Sequence, residues 1–291
     1  MSRAVTVRLP LTCGELVQGT VDGIPVLVSA PIARWGEVRL APGAGLVTPR
    51  GTVKLRQALT AAGASDVQVT VRREARAGAG YATSTADVAG GLAAWGLWCD
   101  APFPPETLAR QAVEVEPSDG TMFPGLALFA HRDATLIEPL GPAPRLPLLL
   151  LDPGGTLDTV WWTRRLPHVA LDASTGAALA DLRHGLATGD LEAIGRAATR
   201  SAASYQPVLP SALVTQALAL APAVRALGVV RAHSGSIAGL LFADEASAQA
   251  AWRRVAAALP DCAVDLTMLV DGGVVQERGD YSFHHLSREN R

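Results

Sequence analysis

An α+β architecture is what the sequence predicts, and three observations carry it. The first third mixes short strand-like runs with a helical one. A turn of small residues near position 80 opens into a run of good helix formers, and the last block reads strand–strand–helix–strand. Hydrophobic periodicity that switches between two and 3.6 residues in this way marks a mixed fold.

The elements follow in order. Residues 4–9 alternate apolar and polar side chains, residues 24–29 form an apolar run, and 37–40 and 67–72 are strand-like. Residues 53–62 have a helical period that stops at Gly63. After the loop 75–81 a helix is expected over 83–97, and Pro104 and Pro105 open another that reaches Val115, because proline is tolerated in a first turn. Residues 126–130, 134–138 and 147–151 read as strands. Pro139, Pro142, Pro144 and Pro147 crowd the stretch before the last of these, which is either a domain seam or a proline-stiffened loop. Helices are expected over 174–188, 190–204 and 211–227, with Asp190 as an N-cap. Strands at 229–232 and 237–242, a helix over 245–259 and a strand over 262–270 follow. The polar tail 279–291 is expected to be loose.

Composition narrows the function classes. The 291 residues fit one large or two modest domains, and 49% hydrophobic residues exclude a mainly disordered chain. A net charge of −2 with no charged block points to neither nucleic acid nor anionic membrane. Basic residues are almost all arginine, with Lys54 the single lysine. Cys13, Cys99 and Cys262 are an odd, scattered trio with no metal-type spacing, which argues against a disulfide framework or a zinc site. The start lacks the apolar core of a signal peptide and no run of membrane-spanning length occurs, so a cytoplasmic, soluble protein is expected.

Four stretches carry chemistry. Ala77–Asp87 holds glycines, which let backbone N–H groups approach a ligand, then hydroxyls at the start of a helix whose N-terminus favours an anion. It is no P-loop, lacking Gly-Lys-Ser/Thr, and a flexible turn with an N-capping hydroxyl explains it equally well. In Glu114–Gly120 two carboxylates end a helix at Pro117 and Asp119 follows, a set suited to Mg²⁺ and to proton removal, or an acidic helix end with an ordinary turn. Arg231–Gly239 has the small residues of a backbone–ligand contact or of a tight hairpin. In Pro10–Gly19 a strand is expected to run into a polar, glycine-bearing turn.

The order of these stretches resembles the signature motifs of the GHMP kinases. It is most similar to their L-threonine kinase branch, of cobalamin synthesis and salvage. The matching segments are Thr12-Cys-Gly-Glu-Leu-Val-Gln-Gly19, Gly80-Tyr-Ala-Thr-Ser-Thr-Ala-Asp87, Glu116-Pro-Ser-Asp119 and Ala232-His-Ser-Gly-Ser236. The resemblance implies an N-terminal α/β domain of the ribosomal protein S5 domain 2 type over 1–145 and a ferredoxin-like α/β domain over 146–291. It implies ATP and Mg²⁺, and a small alcohol, L-threonine, as acceptor, with homoserine or a non-catalytic nucleotide-binding role as alternatives. Neither nucleic acid nor membrane is implied as a partner, and the chain would be a monomer or homodimer. Gly78, Ala79, Gly80, Tyr81, Ala82, Thr83, Ser84 and Thr85 would wrap the ATP phosphates. Ser84 and Glu116 would hold Mg²⁺, with Glu114 the competing carboxylate, and Asp119 would take the hydroxyl proton. His233, Ser234, Gly235 and Ser236 would line the acceptor side, with Asp158 and Thr159 in the substrate loop. Glu15, Asp87, Asp152 and Asp158 are the candidates for the acceptor's ammonium. Two departures stand out: the usual proline of the phosphate loop is absent, and Ala79 replaces a lysine common in the branch. Arg76 is a candidate to supply the missing basic contact.

Overall fold

The computed structural model describes residues 4–155, 172–278 and 282–285. Its organising element is a long antiparallel hairpin of β1 (Val5–Val21) and β2 (Ile24–Pro42). Asp22 and Gly23 turn it, both with positive φ (50° and 75°), as a two-residue hairpin turn with the twist of the strands requires. The turn expected within Pro10–Gly19 is therefore corrected. β1 runs on through that whole segment, and register slips at Pro10/Leu11, Thr12/Glu15 and Glu15/Val17 bend it instead. Gly14, at φ +64°, takes up the second slip in a conformation that a side chain would strain.

The remaining strands add to this hairpin. β4 (Val67–Arg73) pairs with β2 and carries the short parallel β3 (Leu46–Val47). β5 (Leu126–Phe129) meets β2 where Phe129 faces Leu27, and pairs with β6 (Ile137–Gly141). β7 (Pro147–Asp152), β8 (Gly228–Arg231), β9 (Ala238–Leu241) and β10 (Ala263–Met268) form an antiparallel row in the order β10-β7-β9-β8. That row joins the hairpin through Glu15 of β1 with Arg231 of β8, and through an isolated bridge from Leu269, just after β10, to Ile32 of β2. The tail departs from expectation. β11 (Val275–Arg278) pairs with residues 6–8 of β1 and with β12 (Ser282–His285). An edge of β1 that would otherwise leave backbone groups unpaired accounts for this.

Seven α-helices are described: α1 (Val53–Ala61), α2 (Thr83–Trp98), α3 (Pro105–Val115), α4 (Asp172–Thr188), α5 (Leu191–Ser204), α6 (Ala212–Leu220) and α7 (Glu245–Ala258). Asp190 caps α5 as expected, its carboxylate accepting from the Ala193 N–H at 3.0 Å. The helix expected over 211–227 stops early at Leu220, because Pro222 cannot continue it. A 3₁₀ turn over Pro222–Val224 and a left-handed Arg225 follow. α2 is buried almost all round, packed on β1 and β2 with Gly90 against Leu9 and Val38, and Gly91 against Leu55 of α1. A helix apolar on every face belongs inside, and here that burial fixes the position of its N-terminus. A second, smaller core joins β7, β9 and β10 to α6 and α7 through Leu149, Leu151, Val214, Leu240, Phe242 and Val255. Among the described residues no helix is long and apolar enough to cross a membrane.

Candidate active site

The turn before α2 is built on alternate residues with positive φ: Gly78 (77°), Gly80 (100°) and Ala82 (57°). No hydroxyl caps the helix. Ala82 is the N-cap and no side chain accepts from the first N–H groups. The first turn of a 16-residue helix thus presents uncapped donors together with the positive end of its dipole, the physical requirement of an anion cradle.

Three of the four sequence stretches meet here. The Ala79 carbonyl accepts from the N–H groups of Ser236 (3.0 Å) and Ile237 (3.3 Å), and the Tyr81 carbonyl accepts from the Thr12 N–H (3.0 Å). Glycines make the approach possible. A Cβ on Gly235 would lie 2.3 Å from the Cα of Gly80, and one on Gly14 would lie 2.1 Å from the Arg231 carbonyl oxygen. The fourth stretch arrives from α3, which ends as Glu116 becomes extended before Pro117. Ser84 Oγ and Lys54 Nζ both donate to the Glu116 carboxylate. Thr85 Oγ1 donates to Asp119 Oδ2 at 3.2 Å and accepts from the Asp119 N–H at 3.1 Å. Ser118 N–H to the His131 carbonyl (2.9 Å) and Gly120 N–H to Ser29 Oγ (3.0 Å) fasten the rest of the turn.

These residues enclose a cavity of ≈ 330 Å³. Of the residues singled out in the sequence, Gly78, Gly80, Tyr81, Ala82, Thr83, Ser84, Thr85, Glu116, Asp119, Glu15, His233 and Ser234 line it. Ala79, Gly235 and Ser236 do not line it; they hold the loop against β9's approach by the contacts just given. Glu114 faces a different cavity, beside Gln57 and Gln111, so Glu116 is the carboxylate near Ser84. Asp87 is engaged by Arg73, and Asp152 by Arg76, by the Tyr81 hydroxyl (2.7 Å) and by the Gly154 N–H (2.9 Å). Neither lines the cavity, and Arg76 is occupied by Asp152. Asp158 and Thr159 lie outside the described residues.

The two ends of the cavity differ in charge. One end holds Lys54, ion-paired with Glu116, beside the positive end of the α2 dipole. The other holds Glu15 and Asp119. Burial, with the adjacent Asp119 charge, pushes the Glu15 carboxyl well above the usual carboxylate range, opposed by Arg231 and the His233 N–H. Asp119 is pushed up to about 6, mainly by desolvation and with Glu116 adding to it, while its Thr85 hydrogen bond pulls the other way. Burial lowers His233 to about 4, so its ring is neutral; the Tyr205 hydroxyl lies 3.2 Å from Nε2.

Sequence reasoning missed Lys54 and His131, both in the lining. Lys54 had one legible signal: it is the only lysine among 25 basic residues. Lys54→Met should weaken Mg²⁺-ATP binding roughly tenfold, the scale of one charge-assisted contact. Equilibrium nucleotide titration would check it, and unchanged affinity would remove Lys54 from the nucleotide end.

As to its oxygen donors, the Ser84 hydroxyl with the Glu116 carboxylate is a small, hard set that suits Mg²⁺, which keeps few protein ligands and completes its shell with phosphate and water. Among the described residues no cluster of three His, Cys, Asp or Glu occurs that could hold a metal by itself.

Comparison with known proteins bears on family and fold. A family model described as the GHMP kinases N terminal domain matches residues 50–124, which span α1, the cradle and the Glu116–Asp119 turn. The chain is 32% identical over 248 residues to an L-threonine kinase of Citrobacter freundii, covering 81% of this chain and 85% of that protein. In fold it is similar to homoserine kinase from Cytophaga hutchinsonii (TM-score 0.72, 17% identity, 95% and 98% of the two chains). It is also similar to the L. major mevalonate kinase in complex with R-mevalonate (TM-score 0.67, 15% identity, 94% and 97%).

Proposed function

Since the chain belongs to the GHMP kinase superfamily of ATP-dependent small-molecule kinases, we propose that its acceptor is the hydroxyl of L-threonine, giving L-threonine O-3-phosphate for cobalamin synthesis or salvage. The observation that carries the reading is the pair of carboxylates at the acceptor end of the cavity, Glu15 for an ammonium and Asp119 for a hydroxyl proton. The relative at 32% identity supports threonine over its isomer homoserine. The division at 145/146, which falls just before β7, belongs to the same proposal.

In this reading the Gly78–Thr85 turn and the α2 N-terminus bind the triphosphate, with Lys54 beside them. Asp119, steadied by Thr85, accepts the hydroxyl proton as the acceptor oxygen bonds to the γ-phosphorus and the bond to the β-phosphate oxygen breaks. Ser84 and Glu116 would hold Mg²⁺, whose chemistry is neutralisation of phosphate charge. Glu15 orients the acceptor through its ammonium.

The test is ADP release with Mg²⁺-ATP and a panel of L-threonine, L-serine, homoserine, mevalonate and galactose. Turnover confined to L-threonine is expected. Turnover with homoserine instead would keep the kinase and overturn the acceptor. Nucleotide binding without turnover on any alcohol would turn the reading toward a non-catalytic role.

A further inference from the structure

Two polar groups in the acceptor end of the cavity lack partners, and they are of opposite kinds. Glu15 is 4% exposed, and its Oε2 makes no hydrogen bond. His131 is likewise 4% exposed, and neither ring nitrogen makes one. Both line the same cavity. A buried polar atom without a partner costs on the order of 1–3 kcal/mol, so two of them around one space point to a ligand that satisfies both.

The chemistry of the surroundings assigns the two poles. Glu15 and Asp119 make one side acidic. Next to them, the His131 ring packs edge-on against His233, whose backbone N–H bonds the Glu15 carboxyl, with centroids 5.0 Å apart, and Arg132 follows in the chain with a buried Nε that also has no partner. The Arg132 charge acts on both rings and helps burial to keep them neutral. Arg231 is not available for this role. Its guanidinium bonds Gln206 Oε1 (2.9 Å) and the Leu209 carbonyl (2.9 Å), and it stacks 5.2 Å from the Tyr205 ring centroid. A neutral imidazole N–H beside a guanidinium suits an anion, while a pair of carboxylates suits a cation.

The His131 backbone is also held in place. Its carbonyl is pinned by the Ser118 N–H, and His131 follows Ala130, two residues after Phe129, the β5 residue that pairs with Leu27 of β2, which lines the same space. We propose that His131, backed by Arg132, recognises the acceptor's carboxylate while Glu15, lining the same cavity, takes its ammonium, and so selects a zwitterionic amino alcohol. This rests on the amino-acid kinase reading above and specifies which residue sees the carboxylate.

The experiment compares L-threonine with 1-amino-2-propanol, which keeps the hydroxyl and ammonium and lacks the carboxylate. It uses the full chain, wild type and the variants His131→Ala and His131→Asn. His131→Ala should lose at least about tenfold more kcat/KM for L-threonine than for 1-amino-2-propanol, mainly through KM. His131→Asn, which retains one donor, should recover part of the loss. Equal losses on both acceptors would overturn the proposal. Mg²⁺-ATP titration reports whether each variant is folded. If neither variant is folded, the wild type decides. Removal of the acceptor carboxylate should cost more than about tenfold in kcat/KM, and a smaller cost sinks the proposal. A wild type that ignores L-threonine but phosphorylates a carboxylate-free alcohol overturns the function and this assignment together. One that uses L-threonine without any discrimination at His131 overturns this assignment alone.

Discussion

Asp119→Asn is expected to lower kcat by about 10³-fold with L-threonine, within the 10²–10⁴ that a positioned general base supplies, while Mg²⁺-ATP still binds. The wild-type pH profile should carry the same signature. Asp119 titrates at about 6 and works as a base only when ionised, so kcat/KM should fall as pH drops through a limb at or below that value. In the variant the limb should vanish. Stability gives an independent readout. A carboxyl held above its unfolded pKa binds its proton more tightly in the folded state, so the stability it contributes is present below about pH 4 and is lost as pH rises through about 6. Asp119→Asn should therefore gain on the order of 1 kcal/mol over wild type at pH 7.5 and little at pH 4, measured as a difference in thermal unfolding. Loss of activity without either pH effect would mean that Asp119 shapes the turn rather than carries the proton.

Gly235→Ala is the second large effect. Its new Cβ would lie 2.3 Å from the Gly80 Cα, 2.4 Å from the Ala79 carbonyl oxygen and 2.6 Å from the Gly80 nitrogen. All three are backbone atoms of the cradle, so no side chain can swing aside and the loop itself must move. Overpacking of this kind costs about 1–3 kcal/mol, and the displaced N–H groups should weaken Mg²⁺-ATP binding at least tenfold. Gly176→Ala in α4 is the control, because a Cβ there meets nothing within 4 Å. Thermal melts and nucleotide titration of both variants would decide. Wild-type nucleotide affinity in Gly235→Ala would show that the β8–β9 turn does not shape the cradle.

Several elements were legible because their signals are local. Gly63, Pro105 and Asp190 mark helix ends by backbone geometry or by hydrogen bonding within a turn, and the structure has a helix end at each. Pro222 was visible too, yet the apolar run on either side of it outweighed the break in the sequence reading. The turn placed within Pro10–Gly19 failed for a different reason. A glycine at positive φ reads the same in a hairpin end and in a bulge, and only the partner strand distinguishes them. The strand pair in the tail was invisible because β11 owes its existence to the open edge of β1, some 270 residues away.

The site divides in the same way. The sequence by itself determined the parts that recur as short ordered motifs: the glycine–hydroxyl turn opening α2, the Glu116–Asp119 pair and the small-residue turn near 235. Each is a contiguous set of residues whose chemistry can be read without knowing its neighbours. Tertiary structure alone decided which side chains remain free to act. Asp87 and Asp152 are carboxylates as plausible as Glu15 on paper, and they are neutralised by Arg73 and Arg76. Glu15 keeps an unpartnered oxygen in the cavity because β1 bends at its bulges and carries it there, next to β8. Lys54 and His131 belong to no motif at all, and they reach the cavity only because α1 and β5 pack beside α2 and β2. Ionisation and pairing depend on distance in space, and distance in space is what a linear pattern does not contain.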